Sequence, residues 1–166
     1  MDLRIEDFIR KAKSVDMIYL DSPNNPTGFQ FSNKDLEKLI KSFSGPVIID
    51  EAYGEFSNSS VLRLVKKYPN LILVKTLSKA FGLAGLRIGY MIADKKFTEI
   101  FSNVIQYPYP LNTIAIECGI LALEKSKQIT SIFENIKKQR TRVIQNLKKY
   151  DAFDVFDSNA NFVLFD

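Results

Sequence analysis

The chain has 166 residues, of which 46% are apolar and 25% are charged, and its formal net charge is +4. The 13 phenylalanines and seven tyrosines argue against disorder and predict a globular chain with a core. The small positive charge excludes a dedicated nucleic-acid binder, no apolar run is long enough for a membrane span, and the absence of histidine excludes histidine-based triads and most zinc sites.

Short apolar runs in the first half of the chain predict buried parallel strands. They cover residues 17–20, 47–49 and 71–74, and each is bounded by turn residues. The segment between the first two runs predicts a helix. Ser32 and Asp35 resemble a helix-start pattern, and the apolar residues after them recur at helical spacing.

Strands and helices alternate along this half of the chain. A second helix is expected over residues 60–68, where Pro69 closes it, and it precedes the third strand. This order predicts an α/β fold, a three-layer sandwich in which right-handed crossovers build a mostly parallel sheet. A fourth strand over residues 87–93 follows the third too closely for a full crossover helix. We therefore expect it to run antiparallel or to be reached by a compact loop.

The second half of the chain is predicted to be mainly helical up to Tyr150, and two short strands are expected near residues 154–156 and 161–165. We assign residues 1–125 to a large-domain fragment and residues 126–166 to the start of a small C-terminal α+β domain. Two strands are marginal as a complete unit. The first strand is expected to be an uncovered sheet edge. We therefore expect a piece of a larger chain, incomplete at both ends.

Polar side chains follow the three parallel strands at the points where the strands end. Carboxyl ends of parallel strands lie along one edge of a sheet, which is where ligands bind in open α/β folds. This set fits a planar, phosphorylated, carbonyl-bearing ligand, because a lysine can form a Schiff base, a carboxylate can face a ring nitrogen, and hydroxyls with an arginine can hold a phosphate. The candidate residues are Asn25, Asp50, Tyr53, Thr76, Ser78, Lys79 and Arg87.

Three motifs around these residues resemble a known family. They cover residues 22–28, 49–56 and 76–90, and their order matches that in the fold-type I pyridoxal-phosphate aminotransferases. Within that family the chain is most similar to the histidinol-phosphate aminotransferases, and the resemblance runs through nearly the whole chain to Phe162. It implies pyridoxal 5'-phosphate as the cofactor. It also implies transamination between an amino acid and a phosphorylated keto or amino substrate, as in histidine biosynthesis.

The resemblance implies a role for each matched residue. Lys79 would form the Schiff base with the cofactor and move the proton during catalysis, and Asp50 would pair with the ring nitrogen. Asn25 and Tyr53 would hydrogen-bond the phenolic oxygen of the cofactor. Catalytic roles are therefore expected for Lys79, Asp50 and Tyr53, and no metal site is expected.

The phosphate of the cofactor would be held by Thr76, Ser78 and Arg87, the arginine through charge-assisted hydrogen bonds. Family members are roughly twice as long as this chain, and the missing parts include a residue that stacks on the ring and an arginine for the substrate carboxylate. The resemblance also implies a homodimer, for which residues 106–112 are a candidate interface loop. The single cysteine favours a cytoplasmic location. Small-molecule substrates are expected, with no nucleic-acid or membrane partner.

Other interpretations stay open at this point. Asp50 and Glu51 also resemble the carboxylates of a nucleotide hydrolase, although no Gly-Lys-Ser/Thr phosphate loop accompanies them. Asn25 can belong to an ordinary turn, and Arg87 can pair with a surface acid. The basic run over residues 137–142 is expected to be a solvated helix face. The functional alternatives are another chemistry on the same scaffold, such as threonine-phosphate decarboxylation, and a catalytically incompetent fragment.

Overall fold

The computed structural model describes residues 3–166, so residues 1 and 2 of the predicted first domain lie outside the described residues. Within that range one sheet has the order β1 (Ile18–Asp21), β2 (Val47–Asp50), β3 (Leu71–Thr76) and β4 (Gly89–Ile92). The strands β1, β2 and β3 are parallel, and β4 pairs antiparallel with β3. The predicted mixed α/β fold with a mostly parallel sheet is confirmed, as is the antiparallel direction of the fourth strand.

The α-helices of the described part of the chain are α1 (Ile5–Ala12), α2 (Asn33–Ser42), α3 (Leu62–Val65), α4 (Lys95–Ile100), α5 (Thr113–Glu124) and α6 (Ser126–Leu147). Short 3-10 turns cover Gly54–Phe56 and Ala84–Leu86, and a π-helix over Phe101–Ile105 continues α4. The helix predicted over residues 60–68 is shorter than expected. Its last turn closes on Leu64 O, which accepts from the backbone N–H groups of Lys67 and Tyr68 immediately before Pro69.

The helices α1, α2 and α3 pack on one face of the sheet. Their apolar residues recur at the helical spacing, and those of the strands recur at every second residue, so each element has one apolar side. Ser32 begins α2 as predicted, since its hydroxyl oxygen accepts from the backbone N–H of Asp35 at 3.1 Å. Alternation along the strands turns every second residue toward these helices. The buried cluster between the helices and the sheet includes Leu36, Leu39, Ile40, Val47, Ile49, Leu71 and Leu73.

The opposite face of the sheet is more open. Ile48 and Asp50 alternate with the buried residues of β2 and are half-buried, and Tyr19 of β1 is exposed. The strand β1 forms one edge of the sheet, as the sequence predicts. A polar strand end therefore faces a surface that the described helices leave accessible.

The helix α6 packs over the turn that follows β2. The ring of Phe133 lies edge-on to Phe56 and Phe81, with centroid distances of 6.2 and 5.8 Å. From the same helix, Arg140 Nη1 donates to the carbonyl oxygens of Phe56 at 2.9 Å and Ala160 at 2.7 Å. These contacts tie α6 and the C-terminal segment to the turn after β2.

The two strands predicted near the C-terminus pair over a shorter stretch than expected. Val155 and Phe165 form one antiparallel bridge, and backbone hydrogen bonds on either side of it join Asp154 to Asp166 and Phe156 to Leu164. The intervening segment bonds elsewhere, because Asn159 N donates to Gly28 O at 2.8 Å and this contact draws the chain away from a longer ladder. The domain boundary predicted at residue 125 falls at the junction of α5 and α6 and stays a prediction. Within residues 3–166 no helix is both long and apolar enough to cross a membrane.

Candidate active site

The loop after β1 is held by hydrogen bonds among its own side chains. Asn24 Nδ2 donates to both carboxylate oxygens of Asp21 at 2.9 Å, and Asn24 Oδ1 accepts from the Thr27 hydroxyl at 2.6 Å. The backbone N–H of Asn25 donates to Asp21 Oδ2 at 3.1 Å. In this fixed loop, Asn25 Nδ2 donates to the hydroxyl of Tyr53 at 2.8 Å. Two of the predicted site residues, Asn25 and Tyr53, are therefore in direct contact.

Gly28 lets the C-terminal segment approach this loop closely. Its φ of +70° is in the left-handed region, and a Cβ added there would lie 2.2 Å from Ser158 Oγ. From the same segment, the ring of Phe162 lies edge-on to Tyr53 with a centroid distance of 5.1 Å. Residues of the predicted second domain thus support the aromatic ring that contacts Asn25.

Asp50 ends β2 with both carboxylate oxygens engaged. Its Oδ1 accepts from the backbone N–H of Ala52 at 2.8 Å, and its Oδ2 accepts from the hydroxyl of Tyr19 on the neighbouring strand. This hydrogen bond, together with burial and the negative charges of Asp50 and Asp21, raises the pKa of Tyr19 to about 12. Sequence reasoning missed Tyr19. The signal was available, because residues two apart on a strand share a face and Tyr19 lies two before Asp21.

The acid next to Asp50 has a different environment. The side chain of Glu51 is almost completely buried and accepts from Val61 N and the Ser60 hydroxyl, both at 2.7 Å. Lys75 Nζ lies 3.4 Å from Glu51 Oε2 and 2.9 Å from Glu55 Oε1. Burial opposes the charge on Lys75, but the two carboxylates outweigh it and raise the pKa of Lys75. We call Glu51, Glu55 and Lys75 the buried ion cluster.

The turn after β3 brings Lys79 to the same region. Thr76 Oγ1 donates to Ile88 O at 3.1 Å and accepts from the backbone N–H of Ser78 at 3.1 Å, which fixes the start of the turn. Lys79 is exposed, and its Nζ lies 5.3 Å from the centroid of the Tyr53 ring. An ammonium at this distance interacts favourably with the face of an aromatic ring. Residues from three separate strand ends therefore converge on Tyr53.

Arg87 stands apart from the other predicted residues. It is exposed, its φ of 55° lies in the left-handed region, and its Nη1 donates to Ala84 O at 3.0 Å. The recorded contact of its guanidinium is thus a backbone carbonyl rather than a surface carboxylate. Thr76 and Ser78 contact each other, whereas the hydrogen bond of the Arg87 side chain goes to Ala84 and not to either of them.

The carboxyl ends of β1, β2 and β3, with the loops that follow them, are called the site edge below. It combines the exposed amine of Lys79 and the exposed amide of Asn25 with a half-buried carboxylate, two half-buried hydroxyls and the buried phenol of Tyr53. This donor set fits a planar ligand with a carbonyl and a phosphate, as expected from the sequence. A cleft of about 450 Å³ lies elsewhere, between α6 and residues 161–165, and its lining includes Ile136, Val143 and Phe165.

The predicted solvated basic face of α6 is wrong for Arg140. This side chain is half-buried, it donates to two carbonyl oxygens, and burial lowers its pKa. Spacing could have shown this, because Arg140 lies seven residues after Phe133 and four after Ile136. It therefore continues the inward stripe of the helix.

Comparisons with known proteins identify the family of the chain. The family model for aminotransferase class I and II matches residues 2–166. A histidinol-phosphate aminotransferase from Buchnera aphidicola subsp. Schizaphis graminum is 43% identical over 169 residues, which cover 98% of this chain and 46% of that protein. The chain spans about half the length of the curated relatives it matches.

Solved structures share the fold. The histidinol-phosphate aminotransferase from Sinorhizobium meliloti in complex with pyridoxal-5'-phosphate has a TM-score of 0.86 at 25% identity, and the match covers 98% of this chain and 46% of that one. The L-threonine-O-3-phosphate decarboxylase from Porphyromonas gingivalis has a TM-score of 0.80 at 28% identity, covering 91% and 47%. The fold is therefore common to two reactions on phosphorylated substrates.

Proposed function

The chain belongs to the aminotransferase class I and II family, and we propose that it forms the cofactor-binding part of a pyridoxal-phosphate-dependent aminotransferase. The proposed reaction moves an amino group between an amino acid and a phosphorylated substrate of the histidinol-phosphate type. One observation carries the proposal: the contacts that join Lys79, Tyr53 and Asn25 from three different strand ends. The relatives named histidinol-phosphate aminotransferase support the substrate class.

The residues of the site edge fit the cofactor. When bound, pyridoxal phosphate supplies an aldehyde and a ring that accepts electrons. Lys79 would offer its amine to that aldehyde and, as a free amine, would move a proton at the α-carbon of the substrate. Asp50 would accept a hydrogen bond from the ring nitrogen, and Asn25 with Tyr53 would bind the phenolic oxygen. The carboxylate of Asp50 has lone pairs beyond the two bonds it accepts within the chain.

The cofactor phosphate is assigned to the turn after β3. The hydroxyl of Ser78 would donate to its oxygens, and Arg87 would contribute charge-assisted bonds. The hydroxyl of Thr76 would donate to the phosphate by turning its one O–H away from Ile88 O. A guanidinium has five N–H donors, and the bond from Arg87 to Ala84 uses one of them. Binding the phosphate thus requires Arg87 to reorient rather than to break an ion pair.

Covalent labelling of the chain tests the proposal. Incubation with pyridoxal phosphate followed by borohydride converts a lysine–cofactor link into a stable amine, which intact mass measures. We expect one adduct that maps to Lys79, is lost in Lys79→Ala and is retained in Lys34→Ala, a control at an exposed position of α2. Scattered labelling that is equal in all three chains would contradict the proposal.

Threonine-phosphate decarboxylation is the second candidate reaction, and the likeness to the decarboxylase from Porphyromonas gingivalis favours it. The two reactions differ in their products. Transamination of histidinol phosphate with 2-oxoglutarate yields glutamate, whereas decarboxylation of threonine phosphate releases carbon dioxide. Release of carbon dioxide without glutamate formation would select the second reaction. A chain that forms the Lys79 adduct and gives neither product is a catalytically incompetent fragment.

The remaining expectations concern assembly and location. We propose a homodimer for the whole protein with residues 106–112 at the interface, because Tyr107 and Tyr109 in this loop are 74% and 85% exposed. We also propose a domain boundary after residue 125 and a cytoplasmic location. Sedimentation of the chain before and after Tyr109→Ser tests the interface, and limited proteolysis between α5 and α6 tests the boundary.

A further inference from the structure

The edge strand β1 contributes a side chain to the site edge that none of the predicted roles includes. In the parallel register Tyr19 pairs with Ile48 and Asp21 pairs with Asp50. Residues two apart on a strand share a face, so Tyr19, Ile48, Asp21 and Asp50 all lie on the same side of the sheet. Tyr19 is therefore diagonal to Asp50, within the reach of a long aromatic side chain.

The contact that Tyr19 makes completes the support of the Asp50 carboxylate. One oxygen, Oδ1, accepts from the backbone N–H of Ala52, which belongs to the turn after the same strand. The other oxygen, Oδ2, accepts from the hydroxyl of Tyr19, which belongs to the neighbouring strand. Two donors on two elements hold the plane of the carboxylate, which a single donor would leave free to rotate.

We propose that Tyr19 is a positioning residue of the active site, and that its hydroxyl holds the Asp50 carboxylate in the orientation needed to meet the ring nitrogen of the cofactor. The inference rests on the proposed function, since it acts through the role assigned to Asp50. It adds a residue from the edge strand to that role. Tyr19 itself is not proposed to touch the reacting atoms.

The surrounding charges suit a tyrosine that acts as a permanent donor. Its hydrogen bond to Asp50, burial and the negative charges of Asp50 and Asp21 raise the pKa of Tyr19 to about 12. The Asp21 carboxylate is itself fixed by Asn24 Nδ2 and by the backbone N–H of Asn25. The phenol of Tyr19 thus keeps its proton at neutral pH. A hydroxyl that keeps its proton remains a donor to the carboxylate oxygen that accepts from it.

A matched pair of conservative variants separates this role from simple cover of the sheet edge. Tyr19→Phe removes the hydroxyl that donates to the Asp50 carboxylate in the site. Tyr68→Phe removes the hydroxyl that donates to the Glu37 carboxylate at 2.6 Å, outside the site. Spectra of the cofactor-free chain with ¹³C-labelled aspartate, in which Asp50→Asn identifies the Asp50 carboxyl signal, report the contact directly. We expect Tyr19→Phe to shift this signal and Tyr68→Phe to leave it unchanged.

Cofactor affinity is the second measurement. We expect Tyr19→Phe to weaken pyridoxal-phosphate binding about tenfold, the scale of one lost hydrogen bond to a charged group, and Tyr68→Phe to have no effect. An unchanged Asp50 signal in Tyr19→Phe, or an unchanged affinity, would overturn the inference. If the parent chain binds no cofactor at Lys79, the proposed function fails for this chain. The positioning of Asp50 is then judged by the carboxyl signal alone.

Discussion

Asp50 and Glu51 are adjacent acids at the end of β2, yet they lie in opposite environments. Asp50 is half-buried at the site edge and accepts from Tyr19 and the backbone of Ala52. The side chain of Glu51 is only 1% exposed and forms the buried ion cluster with Lys75 and Glu55. Successive residues of an extended chain point to opposite sides, so one strand end can supply two carboxylates to two different tasks.

The difference predicts a division between stability and the proposed chemistry. A buried carboxylate loses its hydration and is tolerated only while its partners remain in place. Glu51 is therefore expected to matter chiefly for folding. Asp50 keeps access to a ligand, and its loss is expected to matter chiefly for the site.

Breaking the buried ion cluster is expected to have the largest effect on stability. Lys75→Met leaves Glu51 and Glu55 buried without their shared cation, and the loss of one partner of a buried pair costs about 3–5 kcal/mol. Asp50→Asn, one residue away from Glu51, is expected to cost less than about 1 kcal/mol. Urea unfolding of both variants measures the difference. Equal free energies of unfolding would contradict the division between the two acids.

Arg140 and Arg142 on α6 offer a second test of the same division. Arg140→Met removes two bonds to the carbonyls of Phe56 and Ala160, and we expect it to lower the free energy of unfolding by about 2 kcal/mol. Arg142 is exposed, so Arg142→Met should change the free energy of unfolding by less than about 0.5 kcal/mol. Urea unfolding curves of the two variants measure this contrast, and similar losses would show that Arg140 acts only as a surface charge.

Local sequence signals predicted the elements that carry the site. Short apolar runs and the residues after them located β1–β3, and the pattern from Ser32 to Asp35 located the start of α2, because these signals depend on neighbours in the chain. Spacing could have placed Tyr19 on the face of Asp21 and Arg140 on the inward stripe of α6, but it could not name their partners, which lie 31 residues away for Tyr19 and 84 residues away for the Arg140 bond to Phe56. The C-terminal strands are shorter than predicted for a related reason. Asn159 bonds to Gly28, a contact that local alternation does not reveal.

The hydrogen bond between Asn25 and Tyr53 tests how much a contact at the site edge contributes to stability, compared with the buried ion cluster. We expect Asn25→Ala and Tyr53→Phe to couple by about 1 kcal/mol in a double-mutant cycle of unfolding free energies, because each removes one partner of the same bond. Asn25 is exposed and both partners are uncharged, so the effect should be well below that of Lys75→Met. Strict additivity of the two substitutions would show that the contact contributes nothing in solution.

Glu37 provides the smallest expected effect, since it is an acid of the helical surface. Hydrogen bonds from Lys67 and Tyr68 lower its pKa from 4.5 to about 2. The folded state therefore binds fewer protons than the unfolded state in that range, and the stabilisation is present above pH 4.5 and is lost as the pH falls through about 2. Urea unfolding between pH 5 and pH 3 should show a shallower loss of stability in Glu37→Gln than in the parent chain, and added salt should weaken this difference because the ion pair with Lys67 is accessible to solvent. Identical pH slopes for the two chains would show that this surface acid, unlike Glu51, contributes nothing to folding.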